Sequence, residues 1–352
     1  MKREKAVPWS TRCVLVLLVA GLASFSPGNC ETFSFAVLAD PHIDGNPEHE
    51  ACLEAAVRWI INNRNFKDIE LVFIVGDIAW GHSPGSSNVV VAKEILDELN
   101  DVGIPYVPLQ GDNEVHSGFE EEFDYVFGEQ YHYLSEIVEN WQQAPTPVAA
   151  MYLQNFSFDY KGCHFVCPDF VARAPGQERG ELHDFAGGSW PWFTNDIANC
   201  AKPKPENVVV LTHIGMFRTG VPEADQYLFT ESDLLAITDF LSPYQDHVAT
   251  NYAGHIHQNW YWPVPSSGEP IYDVYVTDET WYDARWPEPD DNEITVRWVR
   301  VNDSGSTVHY AQHTANAPIV PQTLPVATYA VLLLMVGCIA ACGALRAAGH
   351  RA

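Results

Sequence analysis

The chain has 352 residues, 47% of them hydrophobic and only 18% charged, so it can bury a large core and lacks the low-hydrophobicity, high-charge signature of a disordered protein. Its 19 Lys and Arg stand against 46 Asp and Glu, and between residues 31 and 325 the count is 13 basic to 45 acidic. A surface that negative repels nucleic-acid backbones and anionic headgroups, which excludes ordinary counterion-release binding and requires local cations to draw in any phosphate-bearing ligand.

In chain order, Lys2, Arg3 and Lys5 precede an apolar run over residues 13–23 that ends in small and turn-forming residues, the pattern of a signal peptide over 1–30. Residues 32–39 predict an apolar strand, 48–63 an amphipathic helix, 69–75 a buried strand, 88–99 a helix and 104–109 a third strand. Strand, helix, strand, helix, strand is the sign of a parallel sheet with right-handed crossovers. A further helical stretch near 119–127 precedes a hairpin, 150–159 and 163–168, turning at Lys161 and Gly162. Strands over 208–212, 248–253 and 272–277 follow, and 294–301 with 307–312 suggest an antiparallel finish. Residues 314–325, with three prolines, read as a stalk. Residues 326–345 carry no charge, are long enough to span a bilayer and are followed by Arg346 and Arg351 in a short tail, 346–352. A retained helix and a processed anchor both suit that ending. The expected arrangement is thus one exported domain over 31–313, outside a membrane and tethered near its C-terminus, with its oligomeric state left open.

Four cysteines, Cys52, Cys163, Cys167 and Cys200, fall in the body, and an oxidising compartment allows a disulfide. Cys163 and Cys167 on one strand would be about 13 Å apart, too far to pair with each other, which leaves Cys200 with one of them as the expectation. Asn155 and Asn302 begin sequons.

The chemistry stands at the strand ends. The first strand runs into Asp40-Pro-His42, the second into Gly76-Asp77 and the third into Gly111-Asp112-Asn113-Glu114; later strands deliver His213 and Gly254-His255-Ile256-His257. Sites in open α/β sheets form at the carboxyl ends of strands, so these turns should converge. Asp and His without Cys suit zinc, iron or manganese, and seven candidate ligands suit two ions sharing a carboxylate. Singly, each motif is more often a turn or a satisfied core histidine; their conjunction at five strand ends is the signal.

That ordered set resembles the calcineurin-like metallophosphoesterases, whose signature runs D-x-H, G-D, G-N-H-[DE], a lone His, then G-H-x-H. The resemblance spans about residues 33–301 and implies a four-layer α/β/β/α sandwich with two divalent cations (Mn, Zn or Fe) between its sheets. It implies Asp40, His42, Asp77 and His257 on one metal, and Asp77, Asp112, His213 and His255 on the other, with Asp77 bridging. It also implies hydrolysis of a phosphomonoester or phosphodiester, a metal-bound hydroxide attacking phosphorus. Two departures matter. Asp112 stands where the family has a ligating Asn, and Asn113 stands where it has a catalytic His, yet Asn transfers no proton. His116 or His82 could substitute, good leaving groups could need no acid, or the chain could be a non-catalytic, metal-containing surface binding protein. Trp80 stands where purple acid phosphatases carry a ligating Tyr, so redox-active iron is not expected. An extracellular nuclease is disfavoured by the missing basic groove. Trp260, Tyr261 and Trp262 read as a substrate wall or as sheet packing, Trp190 and Trp192 likewise, and the acidic run 288–293 reads as a solvated loop.

Overall fold

The structure, a computed structural model, describes residues 32–319 apart from 81–86, 117, 119, 145–152, 175, 186–187, 201–205, 282–292 and 305–306. Two β-sheets face each other across an aromatic core. The first has five strands: β1 (Phe33–Leu38), β2 (Ile69–Val75) and β3 (Tyr106–Leu109) run parallel, and β11 (Glu293–Asp303) and β12 (Val308–Pro318) extend it antiparallel in the order β12-β11-β1-β2-β3. The second has seven, in the order β4 (Glu139–Gln143), β5 (Phe156–Tyr160), β6 (Cys163–Cys167), β7 (Val208–Leu211), β8 (Val248–Ala253), β10 (Tyr272–Val276) and β9 (Trp260–Val264). Its centre, β6-β7-β8-β10, is parallel, and its margins are antiparallel.

Alternation along the strands decides the faces. Phe35 and Phe73 from the first sheet meet Phe165 from the second at ring-centroid distances of 5.7 and 5.1 Å, and Tyr252 closes on Phe35 at 5.4 Å. Helices α1 (Pro47–Lys67), α2 (Ser87–Asp101) and α4 (Glu120–Ile137) lie against the first sheet. Helix α1 begins where Asn46 accepts from the Glu48 N–H with Pro47 at the first turn, and ends at left-handed Asp68 after Arg64 and Lys67, so its caps and charges both oppose the helix dipole. Outside the second sheet, α5 (Ser189–Asn199) and α7 (Glu231–Leu241) bury Phe193, Ile197, Ile237 and Leu241 against Val166, Val208 and Val210. Short helices α3 (Asp112–His116) and α6 (Pro222–Asp225) sit in connections.

Several expectations change. The expected disulfide from Cys200 to Cys163 or Cys167 is not formed. Cys163 and Cys167 face the inter-sheet core while Cys200 packs in the outer cluster with α5, so the sheet itself separates them. Thr314 to Pro318, expected in the stalk, pair instead with Arg297 to Glu293, because β11 offers them a ladder of unmet backbone groups. Asn155 is closed to a glycan, being 2% exposed with its Oδ1 accepting from the Asp169 N–H. Trp260 and Trp262 are sheet packing on β9, their rings 6.3 and 5.6 Å from Phe217, and Trp190 packs on Phe193 and Phe240. Among the described residues no helix is long and apolar enough to cross a membrane. The segments expected as signal and anchor, His82 and most of the acidic run lie outside the described residues.

Candidate metal centre

The parallel strands of both sheets discharge their carboxyl ends at one place. Asp40 and His42 follow β1, Asp77 follows β2, Asp112 follows β3, His213 follows β7, and His255 and His257 follow β8. Backbone hydrogen bonds stitch the turns together: Asp40 N–H to Gly76 O at 3.2 Å, His42 N–H to Asp77 O at 3.0 Å and Gly254 N–H to His213 O at 3.0 Å. Across the sheets, the His255 N–H donates to the Asp40 carboxylate at 2.9 Å.

The backbone is unusual where the ligand candidates stand. Asp40, His42, Asp77, His255 and His257 all have φ between 49° and 73°, the left-handed region that most side chains avoid. Such conformations persist where surrounding contacts enforce them, and they concentrate at functional sites. Two glycines make the approach feasible. A Cβ on Gly76, itself at φ 92°, would lie 2.4 Å from His213 Nδ1, and one on Gly111 would lie 2.1 Å from Asp77 Oδ1.

Two groups of side chains result, Asp77, Asp112, His213 and His255 in one and Asp40, His42 and His257 in the other, each with ligand atoms close enough to share an ion. Asp77 lies between them: its Oδ1 is 3.3 Å from His213 Nε2 and its Oδ2 is 3.4 Å from His42 Nε2. Asp112 Oδ1 is 2.8 Å from His213 Nε2 and 2.9 Å from His255 Nδ1. Asp40 Oδ1 is 3.8 Å from both His42 Nε2 and His257 Nε2.

The donor set fits divalent cations. His42 is buried with neither ring nitrogen hydrogen-bonded, and His255 Nε2 is equally unpartnered. Buried polar atoms are almost always satisfied, and the spacings around His42 Nε2 suit co-ligands of one ion better than direct hydrogen bonds. His213 donates Nδ1–H to the Val75 carbonyl at 2.8 Å, which fixes the ring and turns Nε2 to the carboxylates, the usual support of a ligating imidazole.

The buried carboxylates and imidazoles shift one another's acidity. Burial alone would lower the His42 pKa, but the neighbouring carboxylates of Asp40 and Asp77 push it up to about 9. His213 is driven well above its ordinary value against burial, chiefly by Asp77, and His255 is raised by Asp112. His257 moves down, through burial first and the neighbouring His42 charge. Burial opposes ionisation of Asp77, yet His213 and His42 hold it well below the carboxylate range.

The block Gly111-Asp112-Asn113-Glu114 divides its labour. Asn113 donates its backbone N–H to Asp77 Oδ1 at 2.9 Å and its Nδ2 amide to Oδ2 at 2.7 Å, orienting the shared carboxylate. His116 turns away: it belongs to neither group and donates Nε2–H to the Ala172 carbonyl at 2.9 Å.

The contacts of three residues escaped the sequence reading. Glu114, which closes its motif, is fully buried and accepts from the N–H groups of Asp77, Ala79 and Gly111 at 3.1, 2.9 and 2.7 Å, joining two ligand turns. Burial and the Asp77 charge push its pKa up to about 7. Trp281 lies flat on His42, 5.2 Å between centroids at 6°, and meets His49 edge-on at 4.7 Å. Trp80 meets His42 edge-on at 5.0 Å. Nothing in local pattern announces Trp281, which reaches the site through the pairing of Glu279 with Ala39.

Among solved structures, a dimetal phosphatase from Danio rerio aligns over 81% of this chain and 99% of its own, with 13% identity and a TM-score of 0.48. A purple acid phosphatase from yellow lupin (Lupinus luteus) seeds aligns over 83% of this chain and 55% of its own, with 13% identity and a TM-score of 0.48. No curated protein sequence matches. The family model for the calcineurin-like phosphoesterases matches residues 33–259, which run from β1 through the last of the histidine turns. With that match over most of its length, the chain belongs to the calcineurin-like phosphoesterase family.

Proposed function

We propose that this chain hydrolyses phosphate esters at a centre of two divalent cations. The observation that carries the reading is Asp77, whose two oxygens face different histidines in two adjoining ligand groups. Asp40, His42, Asp77 and His257 would hold one cation, and Asp77, Asp112, His213 and His255 the other. When bound, such cations supply Lewis-acid charge at the phosphoryl oxygens and activate water as the nucleophile.

The chain's own residues do the rest. Asp77 sets the spacing of the two ligand groups, and Asn113 fixes its orientation through two hydrogen bonds. Val75 and Trp281 hold the rings of His213 and His42. Asn113 has no transferable proton, and His116 spends its Nε2–H on a carbonyl, so the leaving group departs without acid help from either. Esters of acidic alcohols or phenols are therefore the favoured substrates.

The test is turnover of a series of aryl phosphomonoesters and diesters by the chain with manganese or zinc added, and with chelator. Chelator-sensitive turnover that rises steeply with leaving-group acidity is expected. No turnover of any ester by metal-loaded protein would overturn the reading in favour of a non-catalytic binding protein, the alternative that Asn113 favours. We propose also that the domain is exported and tethered near its C-terminus; the support is the basic and apolar residues near the N-terminus and the uncharged stretch 326–345 before Arg346. Protease digestion of intact cells should remove an exported domain and spare an internal one.

A further inference from the structure

A second kind of ligand cluster stands outside the centre. On β6, Cys163, Phe165 and Cys167 face the inter-sheet core, while His164 and Val166 face α5. His164 is 4% exposed and Asp196 on α5 is 5% exposed. His164 Nδ1 lies 2.6 Å from Asp159 Oδ1, and its Nε2 lies 2.8 Å from Asp196 Oδ2. Ser157 donates its hydroxyl to the other Asp196 oxygen at 2.7 Å. Cys200, the residue that ends α5, brings its Sγ into the same group, so that one ligand atom each from His164, Asp196 and Cys200 lie within 4.8 Å of one another.

This place is separate from the centre around Asp77. His164 pairs in register with Val208, the first residue of β7, whereas His213 follows the other end of that strand. Five residues of extended chain put the two about 16 Å apart.

We propose that His164, Asp196 and Cys200 form a third cation site, for a borderline-soft divalent ion such as zinc, which fastens α5 to the β5–β6 hairpin. The chemistry differs from that of the first two sites in one respect: it includes a thiolate. Imidazole, carboxylate and thiolate are all zinc ligands, and the supporting contacts are of the kind that orients them. Asp159 holds Nδ1–H of His164, leaving Nε2 as the coordinating atom in a carboxylate–histidine–metal arrangement, and Ser157 holds the non-ligating oxygen of Asp196. Binding exchanges two protons, from His164 Nε2 and Cys200 Sγ, for one divalent cation. A bound cation would take the place of the hydrogen between His164 Nε2 and Asp196 Oδ2, which lie 2.8 Å apart.

Cobalt(II) tests this without relying on turnover. The ligand groups around Asp77 contain no cysteine, so cobalt bound there gives no thiolate-to-cobalt charge-transfer band. The full chain, kept reduced and titrated with cobalt, should develop that near-ultraviolet band. Cys200→Ser, a small change at a half-buried position, should abolish it and lower the bound cobalt by one ion per chain, with ester hydrolysis retained. A wild-type protein saturated with cobalt that shows no such band overturns the proposal. So does an undiminished band in the Cys200 variant, which would assign the thiolate to another cysteine.

Discussion

Two clusters in this molecule set imidazoles among carboxylates, and they are built by different means. Around Asp77 the groups stand on left-handed turns, at spacings up to 3.9 Å, with atoms of His42 and His255 left unpartnered. Around His164 the same chemistry stands on ordinary strand and helix backbone, closed by contacts of 2.6 and 2.8 Å. Left-handed conformations cost on the order of 1 kcal/mol or more each, so five of them in one place need a fold that enforces them. The first cluster is thus held by the fold, with its ligand candidates turned toward one another. In the second, His164 is joined to two carboxylates at hydrogen-bond length, a contact that an ion would have to displace. Loss of the first should appear in turnover, and loss of the second in how firmly α5 is held.

The sharpest way to break this contrast is Asp77→Asn. It removes the negative charge that both ligand groups share, and turnover should fall by at least about 10³-fold, the scale of losing a principal electrostatic stabiliser. Metal content measured alongside separates loss of ions from loss of chemistry.

Acidity should come next. The His42 proton must leave for Nε2 to ligate, and its pKa stands at about 9 in the ion-free protein. Cation affinity should therefore rise by about tenfold per pH unit for each proton displaced as pH approaches that value, and binding should release protons. The sign is opposite for the ion-free fold. A histidine whose folded pKa lies above the unfolded value stabilises fully below about pH 6.5, and that contribution is lost as pH rises through about 9. Denaturant midpoints with and without zinc should diverge across this window; parallel curves would mean that His42 is no ligand.

Trp281→Ala should weaken cation binding by about tenfold, because the ring stacked on His42 orients it, while Trp281→Phe should retain most of that affinity. Competition against a chromogenic chelator reads the difference. The smallest effect is expected from His116→Ala, which loses one hydrogen bond, worth about 1 kcal/mol of stability, and leaves turnover nearly unchanged. A fall approaching about 10²-fold would instead make His116 the missing proton donor.

Much of the fold was legible in the strands. β2 occupies the span its run of Val, Ile and Leu predicts, and β1, β7, β8 and β10 lie within a residue or two of theirs. β1, β2 and β7 are buried, mainly apolar runs with parallel neighbours, which is why they show. The edge strands β4 and β9 were missed, because Glu-Asn-Trp-Gln-Gln is almost wholly polar and Trp-Tyr-Trp-Pro-Val is interrupted by Pro263, which argues against a strand. Among site residues, those in turns directly after strands were readable, since a strand end is a fixed place in an α/β fold.

The sequence by itself determined the order of acidic and histidine turns, the parallel units between them and the absence of a transferable proton at position 113, because these depend on residue type and spacing along one strand or helix. Tertiary structure decided the rest. Only the facing of two sheets could show that Asp77 has a different histidine at each oxygen, that Glu114 ties two turns together and that Trp281 lies on His42 from more than 200 positions away. It also decided that Cys200 joins His164 and Asp196 and stands across a sheet from Cys163 and Cys167. The physical reason is that local pattern records which face a side chain takes, while its partners are set by how sheets and helices close on one another.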